Sequence, residues 1–323
     1  MSGQRAQPQA TDRKPLSTSK TIRPDWLPDP FQTEVDFRDS AFFKQDGREL
    51  PNPPVVDAHR KGIVVVPEMQ LVIKHGPNVT IDEALTMWAV RKQLGSEVPV
   101  PELYGWRVVN GTVFIYMELV GGVTLEQRWP DMTHSEKEIV CSQLGQMLFA
   151  LRDLKQGEKG NSFIGSITRG PLLDRVFYFL PKAGPFDSLK DFYDWLEWLP
   201  QRYLTPEERF KDPYLQLLPE DTTIKFTHAD VHPSNIMVST AKSASGSDSS
   251  PGWPSASDPP IHVLALIDWG QSGWYPDFWE YFKMCYTVDW EGEWRVEWLP
   301  KMTEPMEDEE NLMSAYTMGI GAV

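Results

Sequence analysis

The segment His228-Ala229-Asp230-Val231-His232-Pro233-Ser234-Asn235 sets a carboxylate and a carboxamide five residues apart, and Leu266-Ile267-Asp268-Trp269-Gly270 ends an apolar run on a second acid. The spacing H-x-D-x-x-x-x-N presents a base and a metal ligand on one loop, and a later acid can hold the other side of the same ion. The chemistry open to such a set is phosphoryl transfer. Asp230 can accept the proton of an acceptor hydroxyl and orient its oxygen. Asn235 can turn its carbonyl to a divalent ion and Asp268 supplies a carboxylate, since Mg2+ is held by one or two carboxylates together with phosphate oxygens. His228, on an apolar strand ahead of the loop, is expected to be a hydrogen-bonded structural residue that keeps the loop's shape. His232, beside Pro233, is expected at a turn, and H-x-D-x-H lacks the spacing of a zinc site.

These residues need elements to hold them. Ile236–Val238 and Val263–Ile267 are short apolar runs that read as two strands flanking the loop. Asn235 and Asp268 are 33 positions apart, whereas two strands of about 5–6 residues and a loop of about 2–5 span roughly half that. The stretch 239–260, almost wholly Ser, Gly, Pro, Ala and Asp, accounts for the surplus as a low-complexity surface insertion that leaves the site intact.

Upstream, Gly62–Val66 and Gln70–Lys74 are β-branched runs that read as strands. Thr80–Leu94 places Ile81, Ala84, Leu85 and Trp88 at helical spacing and stops at Gly95. Tyr104–Val109 and Thr112–Leu119 are joined by Asn110-Gly111, the dipeptide that suits a type I′ hairpin turn. Two strands, a helix and a hairpin describe a small β-rich lobe over residues 58–120, with Glu118–Gly122 as the hinge. The remainder, 121–323, carries amphipathic Ser135–Leu154 and Ser188–Leu199 and reads as a larger, mainly helical lobe. The fold class is α+β.

Lys74 ends Gln70-Leu71-Val72-Ile73-Lys74, a run close to the V-A-I-K strand whose lysine reaches the α- and β-phosphates of a nucleotide. Its expected partner is Glu83. Thr80-Ile81-Asp82-Glu83 is also a capping box in which Glu83 bonds back to the Thr80 N–H, and one carboxylate serves both roles poorly; the pair with Lys74 is the reading adopted. No G-x-G-x-x-G and no Walker A motif precedes Lys74. Lys61-Gly62-Ile63 and Pro67-Glu68 are all that the turn offers, which leaves nucleotide affinity to Lys74, the hinge backbone and a metal.

The chain has 323 residues, 41% of them hydrophobic, and a formal charge of −15. Residues 1–120 carry 14 Lys+Arg against 15 Asp+Glu, and residues 121–323 carry 17 against 31. An acidic second part repels a phosphate backbone, so nucleic acid is not an expected partner, whereas such a field favours a cationic small molecule. Cys141 and Cys285 lie in apolar sequence and read as buried free thiols, in keeping with a cytoplasmic protein. No apolar run is long enough for a membrane span, and the N-terminus lacks a secretory signal's apolar run. Residues 1–57 divide into a polar, disordered tail, Met1–Arg23, and an extension whose Trp26, Phe31, Phe37, Phe42 and Phe43 pack on the domain.

Taken together, HADVHPSNIMV, LIDWGQSGWYPDFWEY, VIKHGPNVTIDEA, VPVPELYG and FIYMELVGG resemble the aminoglycoside phosphotransferase and choline kinase group over roughly residues 60–290. The resemblance implies a protein-kinase-like bilobal fold using ATP and Mg2+, with Asp230 as catalytic base, Asn235 and Asp268 on Mg2+, and Lys74 on the phosphates. It further implies that the backbone of Glu118, Leu119 and Val120 meets adenine and that Glu280 supports the metal loop. Ala229 stands where protein kinases have the Arg of H-R-D, Trp269 where they have the Phe of D-F-G, and no A-P-E follows, so a small-molecule hydroxyl is the implied acceptor. Asp289–Glu310, with Trp290, Trp294 and Trp298 among acids, suits an amine or quaternary ammonium ligand, or else is a helix with an acidic solvent face. Choline, ethanolamine or a sugar as acceptor, and a catalytically silent pseudokinase or nucleotide-binding scaffold, remain alternatives.

Overall fold

The structure, a computed structural model, describes residues 20–45, 47–57, 59–157, 162–240 and 261–321. Most of the expected tail (1–19), most of the expected insertion (241–260) and the last two residues lie outside them. The first strand, β1 (Thr21–Ile22), pairs in parallel with Lys155–Gln156 far along the chain. The end of the segment read as a disordered tail is therefore tied down, because the backbone of Lys20 and Ile22 accepts hydrogen bonds from Lys155 and Gly157.

The β-branched runs form strands as the sequence indicates. β2 (Glu34–Asp36), β3 (Gly62–Val66), β4 (Leu71–His75), β5 (Leu103–Val109) and β6 (Thr112–Glu118) make one antiparallel sheet in the order β2-β5-β6-β4-β3. Asn110 (φ 50°) and Gly111 (φ 79°) are both left-handed, as a type I′ turn between β5 and β6 requires. Edge strand β2 comes from the extension, whose short run Glu34-Val35-Asp36 carries no strand signal of its own and is recruited by pairing with β5. Between β4 and β5 runs α1 (Ile81–Leu94), capped by the Thr80 hydroxyl, which accepts from the Glu83 N–H at 3.4 Å. Its buried Leu85 and Val90 join Trp106 and Ile115 of the sheet in the main core. Phe42 of the extension covers the other face with Tyr104, Phe114 and Tyr116.

The rest of the chain is mainly helical, with two small sheets that carry the loops of interest. β7 (Val123–Thr124) and α2 (Leu125–Arg128) leave the hinge, and α3 (His134–Arg152) starts at a capping box made by Thr133 and Glu136. Beyond Lys155–Gln156 (β8) come α4 (Leu189–Trp198), β9 (Ile224–Thr227), β10 (Ile236–Val238), β11 (Val263–Leu266) and β12 (Gly273–Pro276). β9 pairs with β12, and β10 lies between β11 and β7, all antiparallel. β10 and β11 register as Ile236 on Leu266 and Val238 on Val263, and the Ser239 N–H donates to the His262 carbonyl. The segment expected as an insertion thus departs from the tip of this hairpin.

α5 (Trp279–Tyr286), α6 (Leu299–Met302) and α7 (Glu307–Ile320) close the chain. A second core joins Phe192 and Leu196 of α4, Trp279 and Phe282 of α5, and Met313 and Tyr316 of α7. Among the described residues, no helix is long and apolar enough to cross a membrane.

The tryptophan-rich stretch packs against cations of its own chain. Trp294 and Trp298 are buried edge-on against Trp129. Arg295 lies 4.0 Å over Trp290, Lys301 3.9 Å over Trp298, and Lys137 pairs with Glu293 at 2.6 Å. Lys137 also lies 4.7 Å over Trp129, so three of these tryptophans each carry a cation of the chain itself.

Candidate active site

The loop after β9 turns through Ala229, whose φ of 63° is left-handed. A non-glycine residue there costs about 1–2 kcal/mol, and two hydrogen bonds hold it. The buried Glu280 carboxylate of α5 accepts from the His228 N–H at 2.7 Å and the Ala229 N–H at 3.0 Å. Glu280 therefore holds the loop that carries Asp230, and it is linked to the Asp268 side of the site through His228, whose carbonyl accepts from Ser272 Oγ at 3.0 Å. The next residue, Asp230, is buried, and its Oδ2 accepts from Asn235 Nδ2 at 2.9 Å. Asn235 Nδ2 also donates to the Asp230 carbonyl at 3.0 Å. His232 occupies the expected turn, where its Nδ1 accepts from the Ser234 N–H at 3.2 Å.

Strand pairing brings the second acid alongside. The Ile267 N–H donates to the Asn235 carbonyl at 2.9 Å, so Asp268 leaves β11 beside the end of the Asp230 loop despite its distance in sequence. Asp268 is left-handed, with φ 62° and ψ 66°. Its Oδ1 accepts from Lys74 Nζ at 2.8 Å and its Oδ2 from Lys61 Nζ at 2.8 Å. Lys74 in turn contacts Glu83 Oε1, with both side chains almost fully buried. The Glu83 carboxylate faces Lys74, and the capping box of α1 is half-formed, with only the Thr80 hydroxyl contributing. Burial disfavours a charged Lys74, but Glu83 and Asp268 outweigh it and keep its pKa above the ordinary value. Burial likewise opposes ionised Asp268, and the two lysines more than compensate, holding its carboxyl well below the usual range.

Lys61 is the residue that sequence reading overlooked. It precedes the edge strand β3, and the only signal was its adjacency to the turn where a glycine-rich loop was sought.

Two hinge amides are bonded within the chain. The Glu118 N–H donates to the Glu102 carbonyl at 2.9 Å and the Leu119 N–H to the Gln70 carbonyl at 3.0 Å. Both amides are engaged within the protein, whereas the Val120 N–H has no hydrogen-bond acceptor among the described residues.

His228 also differs from its expected state. Neither ring nitrogen has a hydrogen-bond partner among the described residues, while the His228 backbone N–H and carbonyl bond Glu280 and Ser272. The ring packs 4.4 Å from that of Trp269, so packing rather than hydrogen bonding fixes it. Burial pushes its pKa down to about 4, against the opposing pull of Asp230 and Asp268. Burial pushes Glu280 up to about 7, although the two loop N–H groups, Arg152 and Lys283 oppose the rise. The pair gives opposite pH dependences. Unfolding lets His228 take up a proton below about pH 6.5, so its contribution to stability falls as pH drops toward 4. Folded Glu280 holds a proton that the unfolded chain releases above about pH 4.5, so its contribution rises as pH drops from 7. Glu280→Gln removes only the second. Urea unfolding at pH 7 and pH 5 should show the variant losing about 2 kcal/mol more than wild type over that range; parallel pH profiles would refute it.

A sequence model described as the Phosphotransferase enzyme family matches residues 63–246, more than half of the chain. The chain belongs to the phosphotransferase enzyme family. Its two lobes, with the sheet and α1 on one side of the hinge and the helical region on the other, are the protein-kinase-like fold. No curated protein matches the sequence. Among solved structures, an ADP-bound aminoglycoside phosphotransferase APH(2'')-Ib is similar at 14% identity and TM-score 0.48, covering 81% of this chain and 79% of that one. Aminoglycoside phosphotransferase APH(4)-Ia is similar at 15% and 0.47, covering 85% and 84%. A protein of Ralstonia eutropha described as a putative aminoglycoside phosphotransferase is similar at 17% and 0.43, covering 82% and 76%.

The donors of this phosphotransferase site fit a hard divalent cation. Both N–H groups of the Asn235 amide are engaged by Asp230, which leaves its oxygen for a cation, and Asp268 offers a carboxylate. Among the described residues no three His, Cys, Asp or Glu side chains gather as a metal cage. An oxygen-poor protein shell of this kind suits Mg2+, which takes much of its shell from phosphates and water.

A buried ion pair underlies the loop of Asp268. Lys283 Nζ donates to Asp174 Oδ1 at 2.7 Å and to Gln271 Oε1 at 3.2 Å, and Trp279 Nε1 donates to Asp174 Oδ2 at 2.9 Å. Removing one partner of such a pair costs about 3–5 kcal/mol, because the other charge is left buried. Nothing in the sequence near Asp174 pointed to it, since its partners are about a hundred residues away.

Proposed function

We propose that this phosphotransferase moves the γ-phosphate of ATP, with Mg2+, to a hydroxyl group of a small molecule. The convergence of Asp230 and Asn235 on one loop with Asp268 and the Glu83-held Lys74 supports the reading. In it, residues 58–120 form the nucleotide-binding lobe and 121–323 the catalytic and acceptor-binding lobe, with adenine at the Val120 amide. Lys74 contacts the phosphates, and Glu83 fixes its ammonium group. Asn235 and Asp268 would hold Mg2+, which supplies neutralisation of developing phosphate charge when bound. Asn235 also orients Asp230, which takes the acceptor's proton while His228 and Trp269 pack behind the loop. The acidic balance of residues 121–323 favours a cationic acceptor.

Calorimetric titration of ATP with and without Mg2+, followed by ADP release on a panel of aminoglycosides, choline, ethanolamine and sugars, tests the proposal. Mg2+-dependent binding and turnover on one acceptor class are expected. A second reading, a catalytically silent nucleotide-binding scaffold, is favoured by one observation: both oxygens of Asp268 hold the chain's own lysines. Binding without turnover on any acceptor would decide for it.

A further inference from the structure

Lys61 and Asp268 are 207 positions apart in the chain, yet their side chains meet at 2.8 Å. Lys61 enters from the end of the sheet, just before β3, and β3 is an outer strand with no further strand beyond it among the described residues. A glycine-rich hairpin over the phosphates needs such a strand. The position is also prepared by its neighbour. Gly76, just after β4, has φ 141°, and a Cβ there would come within 2.6 Å of Lys61 Cα, so only glycine lets the Lys61 backbone settle against this turn. The Lys61 side chain is 40% exposed, whereas that of Lys74 is 6% exposed and clamped by Glu83. One ammonium group is fixed, and the other is free to move over a short radius, because half-exposed ion pairs are weak.

We infer that Lys61 is a phosphate-binding residue that replaces the missing glycine-rich loop, placing a second ammonium group beside Lys74 for the outer phosphates of a nucleotide. The inference rests on the phosphotransferase reading above. A lysine acts on phosphate as a point charge and needs no backbone cradle, so one residue at the mouth of the sheet can serve where a loop of amides is lacking.

The test is the affinity of wild type, Lys61→Met and Lys61→Arg for ATP, ADP and adenosine in Mg2+ buffer, read by calorimetry and, for adenosine, by displacement of a fluorescent adenosine analogue. Loss of one charge-assisted contact should weaken ATP binding by about 10- to 100-fold in Lys61→Met, leave adenosine unchanged, and be largely restored in Lys61→Arg. The melting temperature should stay at the wild-type value, which separates contact from misfolding. Equal or tighter ATP binding by Lys61→Met, or an equal loss for adenosine, overturns the inference while leaving the reading intact; the tighter case would mean that Lys61 competes with the metal for Asp268. Wild type that binds neither ATP nor ADP overturns both.

Discussion

Asp230→Asn should lower kcat about 1,000-fold, within the range that a positioned general base contributes, while ATP affinity stays within twofold of wild type. The residue sits on a loop whose geometry other groups set. Glu280 holds the backbone at His228 and Ala229, and Asn235 engages both the carbonyl and Oδ2 of Asp230. An asparagine can keep the contact to Asn235 by presenting its oxygen there, which leaves its NH2 group toward the acceptor. That group cannot accept a proton. The variant therefore removes proton acceptance and little else, and its stability should change by about 1 kcal/mol or less. Steady-state rates with the acceptor found by the panel, alongside ATP titration, provide the check. A variant that keeps more than a tenth of wild-type kcat would mean that Asp230 only positions the acceptor or plays no part.

Local physics carried much of this site into the sequence. Strands β3 to β6 and α1 announce themselves because β-branched runs, an Asn-Gly turn and a Thr cap act over a few residues, and all formed close to where they were expected. The loop spacing carried over because Asp230 and Asn235 share one turn. Lys74 and Glu83 were legible as a pair only through their resemblance to a known pattern, since the capping alternative was equally local.

Long-range geometry explains what escaped. Lys61 meets Asp268, and Asp174 meets Lys283, across separations that no window of sequence spans. Edge strand β2 and the parallel pairing of β1 were invisible for the same reason, each being recruited by a partner sheet rather than formed by its own propensity. The engagement of the Leu119 amide has another cause: Leu119 looks like any extended residue in sequence, and its N–H meets the carbonyl of Gln70, which is left-handed at φ 52°.

Asp268→Asn should abolish the strengthening of ATP binding by Mg2+, with affinity in Mg2+ buffer reduced at least about 100-fold. The choice of asparagine follows from the backbone. Asp268 is left-handed, a conformation that Asn adopts more readily than Ala, so alanine would mix a backbone penalty with the loss of the ligand. Asparagine keeps shape and conformation and deletes one negative charge. Lys74 retains Glu83 as its counter-charge, so its ammonium group is not stranded in the interior, and the fold should survive. What disappears is the carboxylate that Asp268 offers a divalent ion beside the Asn235 amide. The contrast with Asp230→Asn is the decisive feature, because one variant should lose turnover and keep Mg2+-dependent binding while the other loses the binding itself. If Asp268→Asn binds ATP as wild type does, with the same response to Mg2+, the metal is not held at this residue. Asp268 would then serve as an anchor for Lys61 and Lys74, and the site would read as the silent scaffold.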